Sequence, residues 1–141
     1  MTPRGIRVNN PGNIRKGEQW IGLSDIQLDP DFATLKTPEY GIRAMAKILM
    51  NYQIKYKLKS ISEIIDRWAP PSENDTNSYV SDVCKRVGKT ADEAVNTRDP
   101  SFLTTLVTAI IIHENGQCPY DDKVVYSAVV RLFGDDVPKV T

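Results

Sequence analysis

Apolar side chains recur every three or four residues through most of the chain beyond residue 36, a spacing that predicts amphipathic helices. The first helix begins at Thr37, an N-cap residue that precedes Pro38 at the first helical position. The second begins with the capping box of Ser60 and Glu63 and is ended by the Pro70-Pro71 pair. The apolar face of the first helix contains Ile42, Met45, Ala46, Leu49 and Tyr52.

Four more helices are predicted further along the chain. Asp75 or Thr76 opens the third, and Asp121 or Asp122 opens the last. A short helix over Thr90 to Glu93 is predicted from a repeat of the capping-box pattern. The predicted ranges are 76–88, 90–93, 101–114 and 122–133, with glycine terminators at Gly88, Gly116 and Gly134.

The first 36 residues are rich in Asn, Gly, Asp and Pro and have no helical period. They predict loops with two short strands, around Gln19 to Leu23 and Phe32 to Leu35. The length of 141 residues fits one domain. We therefore expect residues 1–141 to form a single, mainly α domain of the α+β class, with a small irregular or β-containing N-terminal lobe.

Composition narrows the range of functions. The 18 Lys and Arg residues balance 18 Asp and Glu without a basic run, which disfavours nucleic acid as a partner. His113, Cys84 and Cys118 are too few for a zinc site, so no metal or cofactor is expected, and both cysteines are expected to be free. No apolar run approaches the roughly 20 residues of a membrane span, and no signal peptide is recognised, which predicts synthesis in the cytoplasm.

Glu114 is the most informative polar position. The apolar stripe of the predicted helix over residues 101–114 runs through Leu106 and Ile110, and Glu114 follows four residues later on the same face. Desolvation there favours the neutral carboxyl that a proton donor needs. The alternative is a last-turn residue that bends out to solvent.

Two segments resemble the lysozyme-like superfamily, in particular lytic transglycosylases and glucosaminidases. Residues 109–120, AIIIHENGQCPY, are similar to the helix that ends in the catalytic glutamate. Residues 75–83, DTNSYVSDV, are similar to the transglycosylase helix whose tyrosine lies at the active site, although Asp75 and Asn77 replace Glu and Arg. The resemblance implies catalytic roles for Glu114 and Tyr79. Because Tyr79 precedes Glu114 here, it also implies a circularly permuted lysozyme-like domain.

A third resemblance covers residues 4–15, 41–44 and 68–76, which are similar to small phage and prophage proteins of virion structure or cell-wall degradation. It implies an enzyme that cleaves the β-1,4 bond between N-acetylmuramic acid and N-acetylglucosamine of bacterial peptidoglycan. Such an enzyme acts in the periplasm or cell wall, carried there by a virion, a holin-type pore or another injection device. The alternative is a non-catalytic virion structural or glycan-binding protein.

Other residues are assigned roles on this reading. The predicted substrate-binding residues are Asn10, Asn13, Trp20, Asn115 and Tyr120; for the first two, a purely structural Asx turn is the alternative. A hydrolase also needs a second carboxylate, for which the candidates are Glu18, Asp25, Glu73 and Asp75. A lytic transglycosylase needs only Glu114, and the resemblance favours transglycosylation over hydrolysis.

Overall fold

The structure is a computed structural model that describes residues 2–134, so residue 1 and residues 135–141 of the predicted domain lie outside it. The described part contains six helices and is mainly α, as predicted. They are α1 (Arg4–Arg7), α2 (Pro38–Ile54), α3 (Ile61–Trp68), α4 (Thr76–Val87), α5 (Pro100–Asn115) and α6 (Asp122–Phe133). The five longer helices match predicted ones to within about two residues.

The predicted helix boundaries are confirmed by their caps. The Thr37 side chain accepts from the backbone amide of Tyr40, and the Ser60 and Glu63 side chains satisfy each other's backbone amides. At the other end of α5, Gly116 adopts a left-handed conformation with φ of 77°, which a residue with a β-carbon rarely takes. Local sequence therefore determines where these helices begin and end.

Three predictions about the remaining segments are wrong. Within residues 2–134 there is no β-strand; in place of strands at 19–23 and 32–35 the lobe has isolated antiparallel bridges, Arg15 to Phe32 and Leu23 to Leu35. The lobe also contains the unpredicted helix α1. Residues 90–93 are not helical. The Glu93 carboxylate accepts from the amide and hydroxyl of Thr90, as the capping pattern predicts. The chain then extends, and Ala94 forms an antiparallel bridge with Ser60 in place of a helical turn.

Backbone hydrogen bonds between short segments and side-chain contacts together hold the N-terminal lobe. The backbone amide of Ala33, for example, donates to the carbonyl oxygen of Ile14 at 3.0 Å. Asn10 is 0% exposed; its amide donates to the carbonyl oxygens of Ile14 and Ala33, and its Oδ1 accepts from the Ile14 amide. Arg4 donates through Nε and Nη2 to the two carboxylate oxygens of Asp29, each at 2.7 Å. The lobe is therefore a rigid support despite its irregular backbone.

Helix α5 lies at the centre of the domain and packs against α2, α4 and α6, while α3 packs against α4. Three residues of its apolar face, Leu103, Leu106 and Ile110, are 0% exposed. The N-terminal lobe packs closely on α2, where a β-carbon on Gly41 would overlap the carbonyl oxygen of Asn9. This packing brings the lobe to the C-terminal end of α5. None of the helices described is long and apolar enough to cross a membrane.

Candidate active site

The carboxyl group of Glu114 lies in the last turn of α5 and is bound from two sides. The Tyr79 hydroxyl of α4 donates to Oε2 at 2.6 Å. Nδ2 of Asn13, from the N-terminal lobe, donates to Oε1 at 2.7 Å. The Glu114 side chain is half-buried and is held by these two hydrogen bonds, so it does not bend out freely into solvent.

Tyr79 is itself held by two aromatic neighbours. Its hydroxyl oxygen accepts a hydrogen bond from Nε1 of Trp68 at 3.2 Å, and its ring lies 3.8 Å from the His113 ring between centroids. The phenol is only 2% exposed, and this burial, followed by the nearby Glu114 charge, raises the pKa of Tyr79 well above its usual value. Tyr79 therefore remains a hydrogen-bond donor at neutral pH.

His113 connects α5 to α4 next to this site. Its Nδ1 lies 2.8 Å from Oδ2 of Asp82, whose other oxygen accepts from Nε of Arg86 at 3.1 Å. The hydrogen bond with His113, assisted by Arg86, lowers the pKa of the Asp82 carboxyl. His113 thus contacts the carboxylate of Asp82 and the ring of Tyr79. Cys84 and Cys118 are free thiols, as expected.

Asn13 reaches Glu114 because its backbone and its neighbour are unusual. Its φ of 53° lies in the left-handed region, which Asn tolerates better than most residues. A β-carbon on Gly5 would overlap Oδ1 of Asn13, so the absence of a side chain at Gly5 leaves room for the amide. That Oδ1 atom is buried and has no hydrogen-bond partner.

Glu114 lines two adjoining cavities. One, of about 350 Å³, is also lined by Asn13, Glu73 and Asn74. The other, of about 360 Å³, shares Glu114 and Asn74 with the first and contains Tyr79 on its wall. The two cavities therefore adjoin at Glu114 and Asn74, and we refer to them together as the groove. The aromatic residues that line the first cavity are Phe32, Tyr52 and Trp68.

The structure separates the four candidates for a second carboxylate. Glu73 lines the first cavity together with Glu114. Asp75 lines the second cavity, but it also caps α4 by accepting from the amide and hydroxyl of Ser78, which lowers its pKa. Glu18 and Asp25 are exposed in the N-terminal lobe and line neither cavity.

Four residues predicted to bind substrate line neither cavity. Asn10 is fully buried and its amide is used within the lobe, so the predicted contact with a sugar is wrong. Asn115 donates to the carbonyl oxygens of Pro11 and Ile111, which joins α5 to the lobe. Trp20 packs against the core with its indole N–H buried. Tyr120 also packs against the core, and this burial raises the pKa of its hydroxyl to about 12.

Sequence reasoning underestimated the residues that line the groove. Trp68 ends the apolar stripe of α3, so its spacing indicated a core residue, yet its indole both lines the first cavity and bonds Tyr79. Arg15 and Phe32 had no distinguishing pattern; they meet through the bridge between them and a guanidinium that lies 5.6 Å from the ring centroid. Within residues 2–134, no three His, Cys, Asp or Glu side chains are grouped to hold a metal ion.

Comparison with known proteins indicates a bacteriophage origin. The chain is 45% identical to Protein P5 of Pseudoalteromonas phage PM2 over 121 residues, which cover 83% of this chain and 74% of the phage protein. The chain belongs to the same family as this phage protein. No family model matches the chain.

Proposed function

We propose that this protein is a peptidoglycan-cleaving enzyme that acts on the β-1,4 bond between N-acetylmuramic acid and N-acetylglucosamine, with Glu114 as general acid. The observation that carries the proposal is the Glu114 carboxyl, fixed by Tyr79 and Asn13 at the middle of an open groove. A general acid must be held within hydrogen-bond reach of the oxygen it protonates. The Glu114 carboxyl is held by hydrogen bonds and also lines both cavities, so a substrate in the groove can reach it.

The groove supports a polymeric substrate. A glycan chain lying along both cavities would place one glycosidic oxygen beside Glu114, with sugar rings on either side. Phe32, Tyr52 and Trp68 offer apolar surfaces against which sugar rings can pack, and Asn74 offers an amide to both cavities. Proton transfer contributes about 10²–10⁴-fold to the rate, and sugar distortion supplies part of the remainder.

We favour the route that uses a single glutamate. Glu114 first donates its proton to the departing glycosidic oxygen and then accepts one from a hydroxyl of the muramic acid residue. That hydroxyl closes on the anomeric carbon to form an anhydro-muramyl end. The route needs no second carboxylate, which agrees with the use of Asp75 as a helix cap and with the absence of Glu18 and Asp25 from the walls of both cavities.

A circularly permuted lysozyme-like fold is part of the proposal. The tyrosine helix and the glutamate helix, α4 and α5, pack against each other, and their functional side chains touch. This contact depends on packing and not on which helix comes first in the chain. Kinship with a phage protein supports delivery to the cell wall by a virion or at lysis.

Gel zymography with embedded peptidoglycan tests the proposal. Wild-type protein should clear the gel, and Glu114→Gln, which preserves shape, should fold normally and lose at least about 100-fold in lytic activity. Glu18→Gln is the matched control, because this exposed glutamate lines neither cavity. Near-normal clearing by Glu114→Gln would rule out Glu114 as the acid.

The second candidate is a glycan-binding or structural virion protein without catalysis. It is favoured by one observation: both carboxylate oxygens of Glu114 already accept hydrogen bonds from the protein. Such a protein would retain glycan strands in a pull-down with insoluble peptidoglycan but would not clear the zymogram. Clearing that depends on Glu114 excludes this candidate.

A further inference from the structure

The hydrogen bonds around Tyr79 determine which oxygen of Glu114 carries a proton. The indole N–H of Trp68 can only donate, so it uses the hydroxyl oxygen of Tyr79 as acceptor. Tyr79 must then direct its own proton towards Oε2 of Glu114, 2.6 Å away. When Glu114 is neutral, its proton therefore resides on Oε1, the oxygen that faces Asn13.

The Asn13 amide suits only the ionised form of Glu114 in this orientation. Its Nδ2 donates to Oε1 at 2.7 Å, and a proton on Oε1 would set two donors against each other. At the same time Oδ1 of Asn13 is buried with no hydrogen-bond partner. A buried polar atom without a partner is costly, which makes this orientation unfavourable once Glu114 is protonated.

A half-turn of the amide removes both problems. The two ends of an Asn amide are nearly equal in size, so exchanging them requires no repacking. Oδ1 of Asn13 and the carbonyl oxygen of Asn10 both lie where a β-carbon of Gly5 would stand. After the half-turn, Oδ1 accepts a hydrogen bond from the protonated Oε1, and Nδ2 points towards the Asn10 carbonyl oxygen. That oxygen already accepts from the Asn13 backbone amide and has a second lone pair for Nδ2.

We propose that Asn13 is a positioning residue whose side-chain amide turns with the ionisation of Glu114, donating to the carboxylate and accepting from the neutral acid. The proposal rests on the proposed function, in which Glu114 alternates between these two forms. In the first step the O–H at Oε1 leaves its hydrogen bond with Oδ1 of Asn13 and gives its proton to the glycosidic oxygen, and Nδ2 of Asn13 turns to the new carboxylate. In the second, Oε1 takes a proton from the attacking sugar hydroxyl, and the amide turns back.

Nuclear magnetic resonance on the labelled full chain tests the turn without any activity measurement. The Glu114 side-chain carbonyl signal reports ionisation, and Overhauser contacts from the Asn13 amide protons to the α-protons of Gly5 report orientation. We expect these contacts when the carbonyl signal shows Glu114 as the neutral acid, and their loss when it shows the carboxylate. Asn13 contacts that stay constant while Glu114 ionises would overturn the proposal.

Asn115 provides an internal control amide. Its Nδ2 donates to the carbonyl oxygens of Pro11 and Ile111 at 2.8 and 2.9 Å, and a half-turn would set its own oxygen against both. Its amide contacts should therefore remain constant through the titration. In Glu114→Gln the side chain does not ionise, so the Asn13 contacts should also become independent of pH. A pH-dependent turn that persists in this variant would contradict the coupling.

Asn13→Asp provides the activity readout. The aspartate keeps an acceptor near Oε1 and loses the donor, so two carboxyl groups face each other and share a proton more readily. We expect the pH–activity profile of this variant to move to higher pH, because the new carboxyl group lies against the one that transfers the proton. The shift would show that position 13 contacts the working carboxyl, while the resonance experiment reports the turn itself. An unchanged profile would contradict the role of Asn13. If resonance shows the turn but the protein never clears peptidoglycan, the coupling of Asn13 to Glu114 is supported and the enzymatic function is refuted.

Discussion

The hydroxyl oxygen of Tyr79 lies 2.6 Å from Oε2 of Glu114, across the interface between α4 and α5. Trp68 donates to the same hydroxyl, and the His113 ring stacks on the phenol. Tyr79 therefore cannot move away from Glu114 without breaking contacts to α3 and α5. This relationship determines the orientation of the carboxyl group and leads to the first prediction.

Tyr79→Phe should lower lytic activity by about tenfold, equivalent to about 1.4 kcal/mol of transition-state stabilisation, while the fold is retained. The ring would still stack on His113, but Oε2 of Glu114 would lose its donor and Trp68 its acceptor. Turbidity clearing of purified peptidoglycan measures the effect. Tyr56→Phe, at a residue that is 50% exposed, is the control. Equal clearing rates for Tyr79→Phe and Tyr56→Phe would mean that the Tyr79 side chain only packs in the core.

Gly5→Ala should impair activity through Asn13, although Gly5 does not touch Glu114. The new β-carbon would overlap both Oδ1 of Asn13 and the Asn10 carbonyl oxygen, so the amide must leave its position. We expect a free energy of unfolding lower by about 1–3 kcal/mol, the usual cost of overpacking, and reduced clearing at temperatures where the variant is folded.

Urea unfolding and clearing assays on the same preparation check this prediction. Arg7→Ala, at an exposed residue of the same short helix, serves as the matched control and should be close to wild type in both. Wild-type stability together with wild-type activity in Gly5→Ala would show that the lobe accommodates the methyl group and that Asn13 is not tightly placed.

Glu73→Gln should leave the reaction largely intact, with activity within a few fold of wild type and anhydro-muramyl products unchanged. Glu73 is the candidate second carboxylate that shares the first cavity with Glu114 without also capping a helix. Mass spectrometry of the released muropeptides distinguishes the two routes, because hydrolysis yields reducing muramic acid. Reducing ends in the wild type, together with their loss in Glu73→Gln, would establish hydrolysis with Glu73 as the second group.

Asp29→Asn should destabilise the protein at neutral pH and much less in acid. The Arg4 guanidinium, together with the backbone amides of Phe32 and Asp31, holds the pKa of the Asp29 carboxyl well below its usual range. Its contribution to stability is therefore full above the unfolded-state pKa of about 3.9 and is lost as the pH falls below that value.

The measurement is urea unfolding of wild type and variant at neutral and acid pH. The difference in the free energy of unfolding should shrink in acid, whereas Asp25→Asn, at an exposed carboxylate, should differ little from wild type at either pH. A difference for Asp29→Asn that is the same at both pH values would mean that the ion pair with Arg4 does not stabilise the lobe.

Local sequence was enough to predict the five longer helices and to single out Glu114. Thr37, Ser60 and Gly116 act on backbone groups within a few residues, so their effect is readable without a fold. Glu114 was recognisable because it continues an apolar stripe at helical spacing. The helix predicted from the capping pattern at Thr90 does not form. The hydrogen bonds between Thr90 and Glu93 are local, so they form whether or not a helix follows.

Only the tertiary structure decided what surrounds Glu114. Asn13 is 101 positions away in the chain, and its contact depends on the packing of an irregular lobe against α2. That lobe is held in part by contacts between residues far apart in the chain, such as Asn10 with the Ala33 carbonyl oxygen and Arg4 with Asp29, a kind of order that has no period in the sequence. Glu73 likewise could not be separated from Glu18 by spacing, because cavity walls form from segments that meet only after folding.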